Sequence, residues 1–557
     1  MRRPEMVLPF ICCSLRRLAG VVAVLGVCLS LSIGDSAAPD PTKPQTVSSA
    51  VLEVAESSPP KTLGLIVSYR SHPGEEELSR IEELGAVIGH RFDAIDAISV
   101  NLPAGALREL AAEPAVAWIS LDAEVTQAAK GGKKASDPGG DPDSSDCNSH
   151  WYQTDFSGLG VTVAVVDSGI YGDHPDLSGR ILASVNFVTD QASTNNGTSS
   201  RSQDTWGHGS HVAGIIAGEG RVSQAREYRG VAYMANLIDV RVLERDGSGL
   251  TSDVIAGIDW VIANRDQYDI RVMNVSLGHT INEYAQLDPL VQAVESAWDA
   301  GIVVVVSAGN HGRDGYFTVT SPGNSRRVIT VGSLTDYGTA DPSDDIVSTY
   351  SSRGPTALDH IAKPDVVAPG NKVASLRVPH SDIDRLFPES RIVSRPNDDP
   401  YYIELSGSSM AAARVSGAAA LMLELDPFLD PDSVKARLMR TARKFGDDPM
   451  ATGAGELDID AALNECRWNV YAPSPVVTRG EEEGTIIVED TAVLWGGDEW
   501  SLSVLWSDSV LWSDSVLWSD SVLWSDSVLW SDSVLWSDSV LWSDSVLWSD
   551  AVLLCDE

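Results

Sequence analysis

Apolar and polar positions along the chain change period several times, and each change marks an element. Leu63–Tyr69 is apolar and extended, whereas Glu75–Leu84 places its apolar residues at helical spacing behind a run of Glu. Ala86–Phe92 and Ala97–Leu102 read as strands, Pro103 opens a helix through Leu110, and Val116–Leu121 is a last strand. That βαββαβ order is the ferredoxin-like α+β plan, assigned to residues 61–127. Residues 147–466 alternate buried-strand and helical patterns. Val161–Val166, Leu237–Val242, Val272–Val275 and Ile302–Val306 are strands, and the β-branched continuity of the last suits a strand covered on both faces. Helical spacing runs through Val212–Ala217, Thr251–Ala263, Pro289–Ala300, Met410–Glu424 and Pro431–Thr441. Strands alternating with helices of about a dozen residues predict a doubly wound parallel α/β sheet, whose working residues collect at the carboxyl ends of its strands.

The remaining stretches pattern differently. Arg2, Arg3, Arg16 and Arg17 precede the apolar stretch Leu18–Ile33, and Ser36, Ala37 and Ala38 follow it. Residues 1–38 therefore read as an export signal cut after Ala38, with an uncleaved anchor as the alternative. Residues 39–60 are rich in Pro, Ser, Thr and Ala, residues 128–146 hold almost nothing to bury, and residues 467–503 lead into the tail; all three read as linkers. From Val504 the chain repeats Val-Leu-Trp-Ser-Asp-Ser, with Trp at every sixth position from 506 to 548. A period of six is a multiple of two but not of 3.6, so in a strand Val, Trp and Asp share one face and Leu and the serines the other. Tail residues 504–557 read either as a binding or surface-anchoring element or as a repeat expansion without fixed structure.

Composition narrows the classes. The 557 residues carry a formal net charge of −39, and residues 480–557 hold 17 Asp or Glu and no Lys or Arg. Such acidity argues against nucleic acid as a partner, which needs clustered cations. A mean hydropathy of −0.05, with no mid-chain apolar run of about 20 residues, argues against a multispanning membrane protein. Of the six cysteines, Cys12, Cys13 and Cys28 leave with the signal. Cys147 and Cys466, at the two ends of the central region, either form a bridge in an oxidising compartment or stay as thiols, and Cys555 is left over.

Four places in residues 147–466 hold chemistry. Asp167 ends the run Val161–Val166, where a buried carboxylate can orient an imidazole, or simply cap a turn. His208 lies in Gly207-His208-Gly209-Ser210-His211, where glycines allow close approach. No HExxH or added carboxylate motif makes a metal pair of His208 and His211, and His211 reads as a packed structural histidine. Asn310 follows Ser307-Ala308-Gly309 at a strand end, where a side-chain amide can donate to a developing oxyanion. Ser409 lies in Gly407-Ser408-Ser409-Met410-Ala411 at the head of an Ala-rich helix, where backbone N–H groups and the dipole favour an oxyanion; an ordinary N-cap is the plain alternative.

In their contexts these residues resemble one family. DSGI (167–170), HGSHVAG (208–214), NVSLG (274–278), SAGN (307–310), SSRGP (351–355), KPDVVAPG (363–370) and GSSMA (407–411) are similar to motifs of the subtilisin-like serine peptidases, the subtilases, and matching runs extend to GAGELDIDAAL (453–463). IDAISVNLP (95–103) resembles the family's inhibitory propeptide. The resemblance implies Ser409 as nucleophile, His208 as general base and acid, Asp167 as the group that fixes its tautomer, and Asn310 with the Ser409 N–H as oxyanion hole. It also implies that Ser248, Gly249, Leu250 and Ser276, Leu277, Gly278 pair with extended substrate, with Ser307, Ala308 and Gly309 near the primary pocket. The expected protein is a secreted endopeptidase acting on proteins or peptides, made as a zymogen, inhibited by its own propeptide and cut within residues 125–147. No cofactor is required for that chemistry. Asp176 matches a family calcium ligand, yet the Asn-rich loop that completes the site is not recognisable around Gly218–Gly230, so a structural calcium ion is left open. Ser408 stands where the family usually has Thr, Ala412-Ala413-Arg414 where Ser-Pro-His is common, and Tyr233 where Pro is usual. The alternative class is a catalytically idle binding protein of the same fold that attaches through its tail to an unknown partner. Retention of Asp167, His208, Asn310 and Ser409 together favours the enzyme.

Overall fold

The structure, a computed structural model, describes residues 46–57, 61–127, 130–131, 154–188, 204–337, 344–393, 400–444, 446, 448–467, 471–479 and 486–488. The signal (1–38), the repeat tail (504–557), Cys147 and most of 128–146 lie outside the described residues.

Helix α1 (Ser49–Ser57) is followed by β1 (Thr62–Tyr69), α2 (Glu75–Glu83), β2 (Val87–Arg91), β3 (Ala97–Pro103), the short α3 (Leu107–Leu110) and β4 (Val116–Leu121). The four strands form one antiparallel sheet in the order β2-β3-β1-β4, so the βαββαβ order read from the pattern is present. α2 starts where Gly74 donates its N–H to Glu77 (2.9 Å) behind glutamates that suit the helix dipole, and it buries Leu78 and Ile81. α1 corrects the reading of residues 39–60 as linker throughout. Val47 bridges to Ile119 and Val51 is fully buried, because a few apolar side chains inside a Pro- and Ser-rich stretch suffice to cover β4.

Two short strands, β5 (Glu124–Gln127) and β6 (Lys130–Gly131), leave this module. The chain then runs through β7 (Thr162–Asp167), β8 (Ile181–Asn186), α4 (His208–Ala217), β9 (Asn236–Arg241), β10 (Ser248–Leu250), α5 (Thr251–Ala263), α6 (Arg265–Tyr268), β11 (Ile270–Val275), β12 (Leu277–Gly278), α7 (Pro289–Asp299) and β13 (Val303–Ser307). It continues through β14 (Ile329–Thr335), β15 (Ile346–Val347), β16 (Val366–Pro369), β17 (Val373–Leu376), α8 (Asp382–Leu386), β18 (Arg391–Ile392), β19 (Tyr402–Ser406), α9 (Ser408–Leu425) and α10 (Pro431–Thr441). Eight strands join in the order β15-β14-β13-β11-β7-β9-β8, with β16 beside β14, and every pair is parallel except β14–β15. Every residue of β7 and β13 is buried, as a sheet covered on both faces requires.

Helix starts follow local chemistry where caps are present. Asp288 and Asp430 accept backbone N–H bonds ahead of Pro289 and Pro431, so α7 and α10 begin where the pattern places them. α4 begins at His208, not Val212, because Gly207 (φ 104°) turns the chain into the helix before the apolar spacing starts. Residues 408–423 of α9 are all buried, and Gly417 lies so close to Val231 that a Cβ there would sit 2.6 Å from the valine Cβ. Part of 467–503 is folded as well, which corrects its reading as linker. Ser474 donates to Asp365 (2.5 Å), and β20 (Val477–Arg479) pairs with β21 (Ile486–Val488). No helix among the described residues is long and apolar enough to cross a membrane.

Candidate active site

A strand end and a helix start bring Asp167 and His208 together. His208 Nδ1 lies 2.8 and 2.9 Å from the two Asp167 carboxylate oxygens, and both side chains are fully buried. Facing a carboxylate, Nδ1 carries the proton and Nε2 is left as acceptor. Nε2 is buried and has no hydrogen-bond partner among the described residues. Ser409 is the second residue of α9, and its Oγ donates to the Ser276 carbonyl (3.3 Å), while Ser276 Oγ donates to the Ser409 carbonyl (3.4 Å). No bond joins Ser409 to His208 among the described residues; in sites of this kind that contact commonly tightens only around substrate.

Asn310 reaches the same place from the end of β13. Its Oδ1 accepts the Ser408 N–H (3.0 Å) and Ser408 Oγ (3.2 Å), which decides which end of the amide carries the NH2. The Ser408 hydroxyl also accepts the Gly309 N–H (3.2 Å), so serine supplies the contacts at this position where the family usually has Thr. Ser307, Ala308 and Gly309 are buried at the end of β13, and Gly309 takes φ 104° to make the turn.

The strands read as substrate-pairing are occupied by the chain itself. β5 lies between β10 and β12 and is antiparallel to both: Val125 pairs with Gly249, Thr126 with Ser248 and Gly278, and Gln127 with Leu277. A Cβ on Gly249 would sit 2.5 Å from the Val242 carbonyl, and one on Gly278 2.2 Å from the Ser321 carbonyl, so both positions need glycine. On the other side of Ser409, β6 pairs Gly131 with Leu405 and Lys130 with Ser406 on β19. Residues 130–131 therefore pair in a sheet at the start of a stretch read as linker. Backbone edges accept any extended chain, and that non-local pairing leaves no periodicity to read.

Two supporting residues escaped the sequence reading. Asn274 donates to Ser276 Oγ (2.8 Å) and accepts from Ser416 (2.9 Å), bracing the carbonyl that holds Ser409. Asp204 is buried beside the start of α4; the only available signal was its place four residues ahead of His208. His211 is packed, its Nε2 3.1 Å from the Val373 and Ile403 carbonyls, and burial pushes its pKa down to about 3. Asp176 is fully buried, but its oxygens accept the Arg221 N–H (2.7 Å) and the Tyr402 hydroxyl (2.7 Å). Arg180 donates to the Asp176 carbonyl and, with Arg221, pairs with Glu219. Hydrogen-bond donors and two guanidiniums do not fit a calcium ion at this carboxylate. Among the described residues no group of three or more His, Cys, Asp or Glu is arranged to hold a metal.

Comparison with known proteins gives the family. The subtilase family profile matches residues 158–459. Serine protease AprX of Bacillus subtilis (strain 168) is 46% identical over 314 residues, covering 55% of this chain and 67% of its own. Subtilisin DY of Bacillus licheniformis is 32% identical over 308 residues, covering 55% of this chain and 92% of its own. Among solved structures, fervidolysin of Fervidobacterium pennivorans, a keratinolytic enzyme related to subtilisin, superposes with a TM-score of 0.56 at 24% identity, over 76% of this chain and 62% of its own, a likeness of fold. The chain belongs to the subtilase family and is a subtilisin-like serine endopeptidase.

Proposed function

We propose that the chain is a secreted, self-processing zymogen in which Asp167, His208 and Ser409 form the catalytic triad. In this reading His208 Nε2 takes the Ser409 proton as Oγ attacks the scissile carbonyl. Asp167 holds the imidazole by Nδ1 and stabilises the imidazolium that results. The Asn310 amide and the Ser409 N–H stabilise the oxyanion, and His208 returns the proton to the leaving amine. Water then repeats the sequence on the acyl-enzyme. Substrate backbone adds as a strand between β10 and β12, which tolerates varied side chains and suits proteins or peptides as substrates.

The observation that carries the zymogen reading is β5 held between those two strands, so that residues 61–127 block the cleft as an inhibitory propeptide. Pairing on one side ends at Gln127 and on the other begins at Lys130. Only residues 128 and 129 separate them, which narrows the processing window from 125–147 to 127–130, centred on the Ala128–Ala129 bond. Intact mass and amino-terminal sequencing of wild type and Ser409→Ala test this. The expected result is a new terminus at Ala129 in wild type and an uncut mutant. If both stay whole under folding conditions, self-processing is wrong.

A further inference from the structure

We infer that Asp204 is a positioning residue for the reaction, a buried clamp that holds the His208 helix against the turn carrying Asp167. The inference rests on the triad reading above. Asp204 is 2% exposed. One of its oxygens accepts Ser168 Oγ (2.9 Å) and the Gly207 N–H (2.7 Å), and the other accepts the Ser210 N–H (2.9 Å) and Ser210 Oγ (2.6 Å). Those partners flank the reacting pair: Ser168 follows Asp167, while Gly207 and Ser210 bracket His208. The link is reinforced from both sides. Gly209 donates its N–H to Ser168 Oγ (2.9 Å), Ser168 donates its N–H to Asp167 (2.7 Å), and Tyr171 donates its N–H to Ser210 Oγ (2.8 Å).

Packing shows how tight the junction is. A Cβ on Gly209 would lie 2.3 Å from the Gly169 carbonyl and 3.1 Å from the Asp167 Cβ, so the helix start touches the turn directly. A carboxylate suits this place because all four hydrogens arriving there are donors, and two of them come from the first turn of a helix, whose dipole favours negative charge. Burial pushes the Asp204 carboxyl above the usual carboxylate range, and the four donors oppose that push. An amide in its place turns an NH2 toward hydrogens that need an acceptor. The helix then shifts relative to Asp167, and His208 loses its alignment while the substrate strands β10 and β12 keep theirs.

The test is peptide hydrolysis by the full processed chain, with rates per active site titrated by a serine-directed fluorophosphonate. Asp204→Asn is expected to lower kcat about 100-fold with KM within about twofold, the size expected of a misplaced catalytic group. Ser168→Ala removes one donor and one acceptor from the clamp and is expected to lower kcat about tenfold, whereas Ser168→Thr, which keeps the hydroxyl, restores it. Wild-type kcat per titrated site in Asp204→Asn, or equal kcat in Ser168→Ala and Ser168→Thr, overturns the inference. The Ser168 pair decides the matter if Asp204→Asn fails to fold. Ser409→Ala is run alongside: residual hydrolysis there defeats the triad reading itself, separately from the clamp.

Discussion

Residues 61–127 meet the rest of the chain on two surfaces of opposite chemistry. In the cleft, β5 binds through main-chain pairing with β10 and β12, and only Val125 adds a fully buried side chain. On the flank the contacts are made by carboxylates. Glu283 accepts Trp118 Nε1 and Ser120 Oγ (3.0 Å), and Asp259 accepts the Asp93 and Ala94 N–H groups (both 2.8 Å). Asp122 takes the Ser252 N–H (2.9 Å) and hydroxyl (2.7 Å) at the start of α5, and His90 faces Asp253 at 3.0 Å. The cleft therefore takes any extended peptide, while the flank recognises particular side chains. On the proposed zymogen reading, that division lets one site hold an inhibitor and turn over substrates: the shared contact is the non-specific one, and what separates inhibitor from substrate lies outside the cleft. Three carboxyls that burial raises, Glu283, Asp122 and Asp259, sit on the flank, so pH acts on inhibition there.

The largest break in the comparison is chemical. Ser409→Ala should lower kcat about a million-fold, by analogy with subtilisin, in a chain that stays uncut with residues 61–127 on both surfaces; peptide-hydrolysis rates and intact mass check this. Asn310→Ala should cost about 100- to 1,000-fold in kcat, again on the subtilisin scale, with little change in KM. Gly249→Val strikes the shared surface. Its Cβ meets the Val242 carbonyl and crowds Val125 (3.4 Å), so peptide KM and propeptide inhibition should weaken together, each about tenfold for the pairing lost.

Glu283 should break only the flank. Its carboxyl is pushed up from 4.5 to about 8, first by burial and then by the charge of Asp288. Burial also raises Asp122 and Asp259. A carboxyl raised in the complex contributes stability that is fully present below its ordinary value and lost as pH rises through the raised one. Propeptide release should therefore quicken between pH 4.5 and about 8, and Glu283→Gln should flatten that dependence without altering peptide KM. Release rates across this range, read by recovery of peptidase activity, decide it; unchanged pH dependence in the variant sinks the assignment. Smallest is Trp118→Phe, which removes one donor to Glu283 and should weaken inhibition by about 1 kcal/mol, roughly fivefold.

Legibility followed the range of the interactions. Asp167, His208, Asn310 and Ser409 could be found because each is a chemically distinct residue near glycine, Asp167 and Asn310 at the ends of apolar strand runs and His208 and Ser409 at the heads of apolar helices. α5 and α10 were legible to the residue because spacing and, for α10, a cap coincide. Asp204 is one acidic residue among many, and nothing local marks it as the point where four donors meet. α1 and residues 471–479 were hidden because a few apolar side chains in polar surroundings carry no period.

By itself, then, the amino-acid order determined the elements with strong periodicity, the parallel sheet they imply and the residues able to do the chemistry. All of these depend on interactions within a few residues or on side-chain type. Tertiary structure decided which edges meet. The pairing of Glu124–Gln127 with β10 and β12, and of Lys130–Gly131 with β19, uses backbone groups that every residue carries, so no side-chain pattern encodes it. Tertiary structure also decided that Asp167, His208, Asn310 and Ser409 come together, because only the parallel sheet sets β7 and β13 on either side of β11 and packs α9 across them.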